Sequence, residues 1–166
     1  HPSKIERISG RAVPLRGDDI DTDRIIPARF LKTITFDGLG DHLFEDDRQQ
    51  LASRGVVHAF DVPSHKGARI LFAQANFGCG SSREVAPLTI KAAGVSGVIA
   101  KSFARIFFRN PINIGLPILE CAEAVDGIRE GDEVEVDPAR GIIRNLTTGA
   151  EYQAAPFPEF LQRIID

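Results

Sequence analysis

The sequence of 166 residues is poor in cysteine, and this limits the classes of protein to which it can belong. Its two cysteines, Cys79 and Cys121, do not form a Cys-x-x-Cys pair. Two such thiols do not build a disulfide scaffold, and they predict a reducing compartment such as the cytoplasm. Iron–sulfur clusters are usually held by three or four thiolates, so this chain cannot hold a cluster alone.

The sequence also lacks an excess of basic residues and any long apolar run. Lys plus Arg is 20 and Asp plus Glu is 23, which gives a net charge of −3. This mild acidity argues against a nucleic-acid surface and against an anionic membrane. No apolar run approaches the roughly 20 residues that cross a bilayer, and no signal peptide is visible at the start. We expect one globular domain, residues 1–166, with neither a nucleic acid nor a membrane as partner.

Apolar segments alternate with helical segments through the middle of the chain. A glycine-rich loop follows the first apolar segment, and Gly94 ends the helix after that loop. The predicted elements are strands over 68–75, 95–100 and 116–121, with helices over 85–94 and 102–110 between them. This alternation predicts an α/β fold with parallel strand pairing.

The two flanks of this core differ in character. A strand is predicted over 5–13, where Pro14 ends it, and a β-hairpin over 132–145 is followed by a closing helix at about 158–165. Residues 17–48 are rich in Asp and Gly and show little periodicity, which predicts a long irregular segment. We expect that segment to be functional and to contact a partner.

The segment from Gly78 to Glu84, Gly-Cys-Gly-Ser-Ser-Arg-Glu, carries the densest group of chemically useful residues. Glycines let backbone N–H groups approach a ligand, and a helix N-terminus adds free donors and partial positive charge. Arg83 adds a planar fork that suits a carboxylate. The segment has neither the Lys of a P-loop nor the third glycine of a dinucleotide fingerprint. It therefore predicts a site for a small carboxylate or phosphate.

The same segment also fits a helix cap, because Ser81-x-x-Glu84 has the spacing of a capping box. If Ser81 were the N-cap, however, Pro87 would lie in the helix interior, where it costs about 3 kcal/mol. We therefore predict that the helix begins nearer Ser82 or Arg83 and that Ser81 remains in the loop.

A second candidate is the acidic segment of residues 18–23, Asp-Asp-Ile-Asp-Thr-Asp. Its alternation is similar to a calcium-binding loop. Counted from Asp19, however, the sixth position is Arg24 instead of Gly, and the twelfth is Phe30 instead of Glu. These positions exclude an EF-hand. An acidic surface turn is the default interpretation for most of these carboxylates.

Three motifs, residues 21–32, 78–84 and 99–110, give the chain its clearest resemblance. Together they resemble the swivel domain of the aconitase family, and most of all its free-standing small subunits that act on isopropylmalate. The resemblance implies a swivelling β/β/α fold and a hydro-lyase of leucine biosynthesis, which moves a hydroxyl between adjacent carbons by dehydration and rehydration. It also implies that this chain binds no cofactor itself, and that a large partner subunit carries a [4Fe–4S] cluster.

The resemblance implies roles for four residues. Ser81, the first Ser of its motif, is the base that removes a proton from the substrate. Arg83 binds and neutralises a substrate carboxylate, and Ser82 bonds the substrate or holds Ser81. Asp23 has an orienting or charge-pairing role at the site. We interpret Cys79 as a packing or redox-sensitive residue and not as a metal ligand.

Two positions depart from the family pattern. Val85 stands where many relatives carry His, and Ile26 stands where aconitase itself has Ser. The change at Ile26 suits a substrate whose third arm is apolar. We predict a specificity loop over residues 28–36, with its candidate residues being Arg29, Phe30, Leu31, Lys32 and Phe36. A packing or surface role remains the alternative for these residues.

Other functions remain open at this point. Within the same class, the substrate could be homoaconitate, citraconate or a dimethylmalate, since Arg29 and Lys32 could pair with a further acid. From other classes, the chain could be a stand-alone anion-binding module, or a regulatory partner that has lost catalysis. Only Val85 supports the last alternative.

Overall fold

The fold is built on one mixed seven-stranded sheet, seen in a computed structural model that describes residues 7–31, 36–81, 84–108 and 114–155. Within these described residues, five α-helices accompany the sheet. The strands are β1 Ile8–Pro14, β2 Ile70–Ala73, β3 Gly97–Ala100, β4 Ile118–Glu120, β5 Glu133–Asp137, β6 Ile142–Asn145 and β7 Glu151–Gln153. The helices are α1 Thr22–Ile25, α2 Phe36–Leu39, α3 Glu45–Ser53, α4 Val85–Ala92 and α5 Ala122–Gly127.

The sheet has a parallel half and an antiparallel half that meet at β1. Its strand order is β4-β3-β2-β1-β5-β6-β7. The pairs from β4 to β1 are parallel, and those from β1 to β7 are antiparallel. This arrangement confirms the predicted α/β class, the parallel core and the hairpin that β5 and β6 form.

Alternate residues of the central strands pack into two hydrophobic clusters, one on each face of the sheet. Leu71 and Ala73 of β2 belong to the cluster that also holds Ile90 of α4. Ile70 and Phe72 belong to the other cluster. Because successive side chains of a strand point to opposite faces, a strand buried on both faces reads as the continuous apolar run seen in the sequence.

The prediction of an irregular segment over residues 17–48 is wrong in part. This segment holds α1, α2 and the start of α3, with two 3-10 turns at Ala28–Phe30 and Gly40–His42. The first two helices have four residues each, which is too short to show a 3.6-residue period. The third is polar along most of its length and buries none of its residues completely, so it lacks the apolar stripe that indicates a helix.

Other boundaries also differ from those predicted. A single 3-10 turn, Arg105–Phe108, replaces the helix predicted over 102–110 within the described residues. Two further elements that the sequence did not predict, α5 and β7, are short. The closing helix predicted at about 158–165 lies outside the described residues.

No helix in the described part of the chain is long and apolar enough to span a bilayer.

Candidate functional site

Three loop segments meet at the carboxyl edge of the parallel half of the sheet. They follow β1, β2 and β3, which are neighbours in the sheet. Isolated bridges join Asp21 to Cys79 and Phe77 to Phe103, so the segment after β2 lies between the other two. Ligands of open α/β sheets bind at this edge. The structure thus brings together the three motifs that the sequence analysis singled out.

The first motif and the residue before it, Ile20, are bonded to the Gly78–Ser81 loop by three hydrogen bonds. The backbone N–H of Gly78 donates to the carbonyl of Ile20 at 2.8 Å, and that of Thr22 donates to the carbonyl of Cys79 at 2.9 Å. The Thr22 hydroxyl donates to the carbonyl of Ser81 at 2.9 Å. The loop therefore has a fixed position relative to the start of α1.

The third motif is hydrogen-bonded to the segment after β2 on the side opposite the first motif. The backbone N–H of Phe77 donates to the carbonyl of Ser102 at 3.1 Å, and that of Ala104 donates to the carbonyl of Phe77 at 2.9 Å. The rings of Phe77, Phe103 and Phe107 also pack together, with centroids 5.5 to 6.1 Å apart. Edge-to-face and offset ring pairs of this kind add stability beyond their buried area.

Gly78 is the residue that allows this packing. Its φ is +83°, and a Cβ at this position would overlap the ring of Phe107. Both the backbone conformation and the space therefore require glycine. The glycines that the sequence analysis assigned to ligand approach thus include one that serves the packing of the third motif.

Ser81 lies in the loop with an exposed side chain, as predicted. Helix α4 begins at Val85, its N-cap is Glu84, and no side chain caps it. The capping-box alternative is therefore wrong, and Pro87 falls in the first turn, where its missing N–H costs little. Ser82 and Arg83 lie outside the described residues, so their roles stay predictions.

The carboxylates of the acidic segment bond to neighbouring groups. Asp18 accepts from the backbone N–H of Ala75 at 3.0 Å, and Asp19 accepts from the side-chain amide of Asn76 at 2.9 Å. Asp21 caps α1 by accepting from the backbone N–H of Arg24 at 2.8 Å. The segment is thus more than an acidic surface turn, because it ties the loop after β1 to the loop after β2.

Asp23 lies in the first turn of α1 with an exposed side chain. One of its carboxylate oxygens accepts from the backbone N–H of Ala28 at 3.2 Å. This bond connects α1 to the start of the predicted specificity loop. An orienting role for Asp23 fits this position and stays a prediction.

Arg29 of the predicted specificity loop forms a two-pronged ion pair with Asp46 of α3. The nitrogen–oxygen distances are 2.6 and 3.1 Å. The hydrogen bond between the two groups raises the pKa of Arg29 and lowers the pKa of Asp46. Asp46 therefore already balances the charge that the sequence analysis considered for a substrate acid.

The rest of this loop is apolar where it is described. Phe30 stacks on His42 with ring centroids 4.1 Å apart, and the side chain of Leu31 is 40% exposed. Phe36 is the first residue of α2, but its side chain lies outside the description, as does the whole of Lys32. Leu31 is thus an apolar residue that the loop leaves open to a ligand.

Cys79 is half-buried beside the two acidic residues of the first loop. Burial raises the pKa of its thiol, and the carboxylates of Asp21 and Asp19 raise it further. A thiol with a raised pKa is a poor metal ligand and a slow nucleophile. Cys121 belongs to the cluster on the other face of the sheet. Among the described residues, no three His, Cys, Asp or Glu side chains are grouped to hold a metal ion.

Thr22 was not predicted from the sequence as a site residue. It stands in the Asp-Thr-Asp motif, but its hydroxyl partner lies 59 residues further along the chain. Only its position between two aspartates of a recognised motif could have drawn attention to it.

Comparison with known proteins agrees with this geometry. The sequence model of the family described as the aconitase C-terminal domain matches residues 3–124. A protein of Caldicellulosiruptor bescii named 3-isopropylmalate dehydratase small subunit is 60% identical over 148 residues, which are 89% of this chain and 83% of that protein. A protein of the same name from Caldanaerobacter subterraneus subsp. tengcongensis is 56% identical, over 95% of this chain and 91% of its own length.

A solved structure extends the likeness to three dimensions. The crystal structure of 3-isopropylmalate dehydratase from Methanocaldococcus jannaschii matches with a TM-score of 0.76 and 36% identity, over 96% of this chain and 87% of that one. Sequence, fold and arrangement of motifs lead to the same conclusion: the chain belongs to the aconitase C-terminal domain family.

Proposed function

We propose that this chain is the small subunit of a two-subunit hydro-lyase that interconverts 2-isopropylmalate and 3-isopropylmalate in leucine biosynthesis. The observation that carries the proposal is the hydrogen-bonded contact between the Asp-Thr-Asp motif and the Gly78–Ser81 loop at the carboxyl edge of the sheet. Relatives that are 55–60% identical over most of the chain bear the name 3-isopropylmalate dehydratase small subunit.

Ser81 is the base of the proposed reaction. The dehydration removes a hydroxyl from one carbon and a proton from its neighbour, and the exposed Ser81 hydroxyl takes that proton. A serine oxygen is a weak base unless its anion is stabilised. Amides of the glycine loop, the N-terminus of α4 and Arg83 are the groups proposed to supply that stabilisation. The rehydration returns the proton to the other carbon.

The substrate carboxylates need cations and donors from this chain. In the proposal, Arg83 pairs with a carboxylate next to the reacting carbon, which makes the adjacent C–H more acidic. Ser82 bonds the substrate or holds Ser81, and Asp23 orients the site through the start of the 28–36 loop. The position of Asp23 supports this role, since its carboxylate accepts a hydrogen bond from the backbone N–H of Ala28.

The leaving hydroxyl requires a Lewis acid, which a [4Fe–4S] cluster would supply when bound. We propose that a large partner subunit carries this cluster. The two cysteines of this chain lie on different elements, Cys79 at the site loop and Cys121 in the opposite core cluster, and both are free. Free thiols also support the proposed cytoplasmic location.

The 28–36 loop favours isopropylmalate over homoaconitate. Homoaconitate has a third carboxylate, which needs a cation, whereas the isopropyl group needs an apolar contact. Arg29 is already paired with Asp46, and Leu31 presents an exposed apolar side chain. Among the described residues of the loop, the cation Arg29 is therefore not available to a third carboxylate.

Reconstitution tests the proposal directly. The chain and the cluster-loaded large subunit from the same genome are mixed without oxygen, and turnover of isopropylmalate is compared with that of each chain alone. We expect turnover only in the mixture. The same mixture is then assayed with homoaconitate, citraconate and dimethylmalate, on which we expect lower kcat/KM.

Each other outcome has a distinct meaning. A stable complex that turns over homoaconitate best would support the assignment as a hydro-lyase but would reject isopropylmalate as the substrate. Tight binding of malate or inorganic phosphate to this chain alone, without turnover in the mixture, would favour the stand-alone anion-binding module. Calorimetry on the isolated chain measures that binding.

A further inference from the structure

Thr22 faces the inside of the protein although both of its neighbours are aspartates. Only 3% of the surface of Thr22 is exposed to solvent. As the first residue of α1, it has a backbone N–H without an intrahelical partner, and this group donates to the carbonyl of Cys79 at 2.9 Å. Its hydroxyl donates to the carbonyl of Ser81, also at 2.9 Å. One residue therefore holds two carbonyls of the loop, one on each side of Gly80.

These two bonds fix the direction of the loop's peptide groups. The peptide bond between Cys79 and Gly80 is trans, so the Cys79 carbonyl that points toward α1 sends the N–H of Gly80 to the opposite side. Gly80 between them has the softest backbone in the loop, since glycine populates regions closed to other residues. A Cβ at Gly80 would lie 3.3 Å from the Cβ of Asp21, so the loop and α1 are close along this length. Without both bonds, rotation at Gly80 would turn Ser81.

We propose that Thr22 is a positioning residue that sets the orientation of Ser81 through the bond to its carbonyl. The inference rests on the proposed function, because it assigns Thr22 a part in the proton transfer by Ser81. Thr22 itself touches neither the substrate nor the reacting atoms in this proposal. The backbone bond from Thr22 to Cys79 survives any side-chain change, so the hydroxyl bond can be removed separately.

Thr22→Val is the substitution that removes the hydroxyl and keeps the shape of the side chain. It leaves the carbonyl of Ser81 without this donor and frees the second half of the loop. A misplacement of about 1 Å of a catalytic group can cost roughly 100-fold in rate. We expect kcat of the assembled enzyme to fall by roughly 10- to 100-fold while KM changes less than about threefold. Thr22→Ser restores the donor and should recover most of kcat.

Thr89→Val is a matched control. Thr89 is also fully buried, and its hydroxyl also donates to a backbone carbonyl, that of Val85 at 2.7 Å within α4. The helices that carry the two threonines, α1 and α4, contact each other. Thr89→Val therefore removes a buried hydroxyl bond within α4 that does not hold the Ser81 carbonyl, and we expect kcat close to that of the unmodified enzyme.

The measurement is steady-state kinetics of the three variants in complex with the large subunit, with thermal unfolding of each complex. A loss of kcat in Thr22→Val that Thr22→Ser does not share supports the inference. Equal losses in Thr22→Val and Thr89→Val, or a rise in KM with kcat unchanged, would overturn it. Unchanged kinetics of Thr22→Val would overturn it as well.

Ser81→Ala in the same assay separates this inference from the proposed function. If Ser81→Ala is inactive and Thr22→Val is fully active, Ser81 keeps its role and only the positioning role of Thr22 fails. If Ser81→Ala is fully active, the assignment of the base fails, and the positioning role fails with it.

Discussion

The two halves of the sheet share strand β1 but differ in what their loops do. In the parallel half, the loops after β1, β2 and β3 converge on one edge and are bonded to each other. In the antiparallel half, the turns are bonded within themselves and to the strands of that half. Asn145, for example, accepts from the backbone N–H groups of Thr147 and Thr148 of its own turn. Parallel strands need long connections, and these supply the site, whereas hairpins close over a few residues.

The part of the chain that the family model matches also ends between the two halves of the sheet. The sequence model ends at residue 124, after β4 and before β5. The candidate site residues all precede this end, and β5, β6 and β7 contain none of them. The antiparallel half thus extends the sheet and its second core cluster, and the parallel half carries the candidate site. Substitutions in the two halves should therefore have separable effects on turnover and on stability.

The largest expected effect is the loss of turnover in Ser81→Ala. Removal of a general base costs roughly 100- to 10,000-fold in kcat. We expect KM and assembly with the large subunit to be unchanged, because the side chain is exposed. Kinetics of the assembled enzyme and gel filtration measure these quantities.

Thr147→Val is the corresponding hydroxyl deletion in the antiparallel half. The Thr147 hydroxyl accepts from the backbone N–H of Glu133 at 2.8 Å. Loss of this bond should lower the free energy of unfolding by about 1 kcal/mol and leave kcat unchanged. A drop in kcat similar to that of Ser81→Ala would break the proposed division between the halves.

The largest effect on stability is expected in Gly78→Ala, compared with Gly149→Ala. The two glycines have the same φ, +83°, but a Cβ at Gly149 meets no atom within 4 Å, whereas one at Gly78 overlaps Phe107. We expect a loss of about 1 kcal/mol for Gly149→Ala, because a side chain is unfavourable at this positive φ. Gly78→Ala should lose about 2–4 kcal/mol because overpacking adds to the same backbone cost. Urea unfolding of the two variants measures the difference, and equal losses would show that the ring of Phe107 moves aside freely.

The smallest effect is on the pH dependence of stability, and it arises from His58. This residue is 7% exposed, and its ring nitrogen Nδ1 accepts from the backbone N–H of Phe60 at 3.0 Å. Burial lowers its pKa, although the carboxylates of Asp47 and Asp61 oppose this. The unfolded chain therefore binds the proton more readily, and folding stability falls as pH drops below about 6.5.

His58→Asn keeps an acceptor near the Nδ1 position and removes the titrating ring. We expect it to cost about 1–2 kcal/mol at pH 7.5, because a buried ring is lost. Its free energy of unfolding should then change less between pH 7.5 and pH 5.5 than that of the unmodified chain. No histidine lies in β5, β6 or β7, so this pH dependence belongs to the parallel half. An unchanged pH slope in the variant would contradict this assignment.

The core elements could be predicted from the sequence because a buried element leaves a local pattern of apolar residues. Strands β2 and β3 are buried along their whole length, and Gly94 follows the end of α4. Such apolar runs can be recognised in the sequence without knowing which strand pairs with them. The short helices α1 and α2 were missed because four residues are too few to display a period, and α3 was missed because its stabilising contacts are polar, such as the pair of Arg48 and Asp61.

The candidate site was predicted as separate motifs but not as an arrangement. The family resemblance pointed to Ser81 and Asp23, whereas the bond from Thr22 to Ser81 crosses 59 positions and leaves no local pattern. Similarly, the ion pair of Arg29 with Asp46 joins two elements, one of which was not expected to be a helix. Pairings of this kind depend on the register of the fold and not on the composition of either segment.

The long sequence separation of the site's bonds has a consequence for synthesis of the chain on the ribosome. The bonds of Asp18, Asp19 and Thr22 to the loop after β2 span 57 to 59 residues. Such contacts form only after the entropy of closing the intervening chain has been overcome. The nascent chain therefore has no assembled site until β2 and the loop after it have emerged from the exit tunnel. A large subunit that recognises the assembled site would bind only chains that have folded this far.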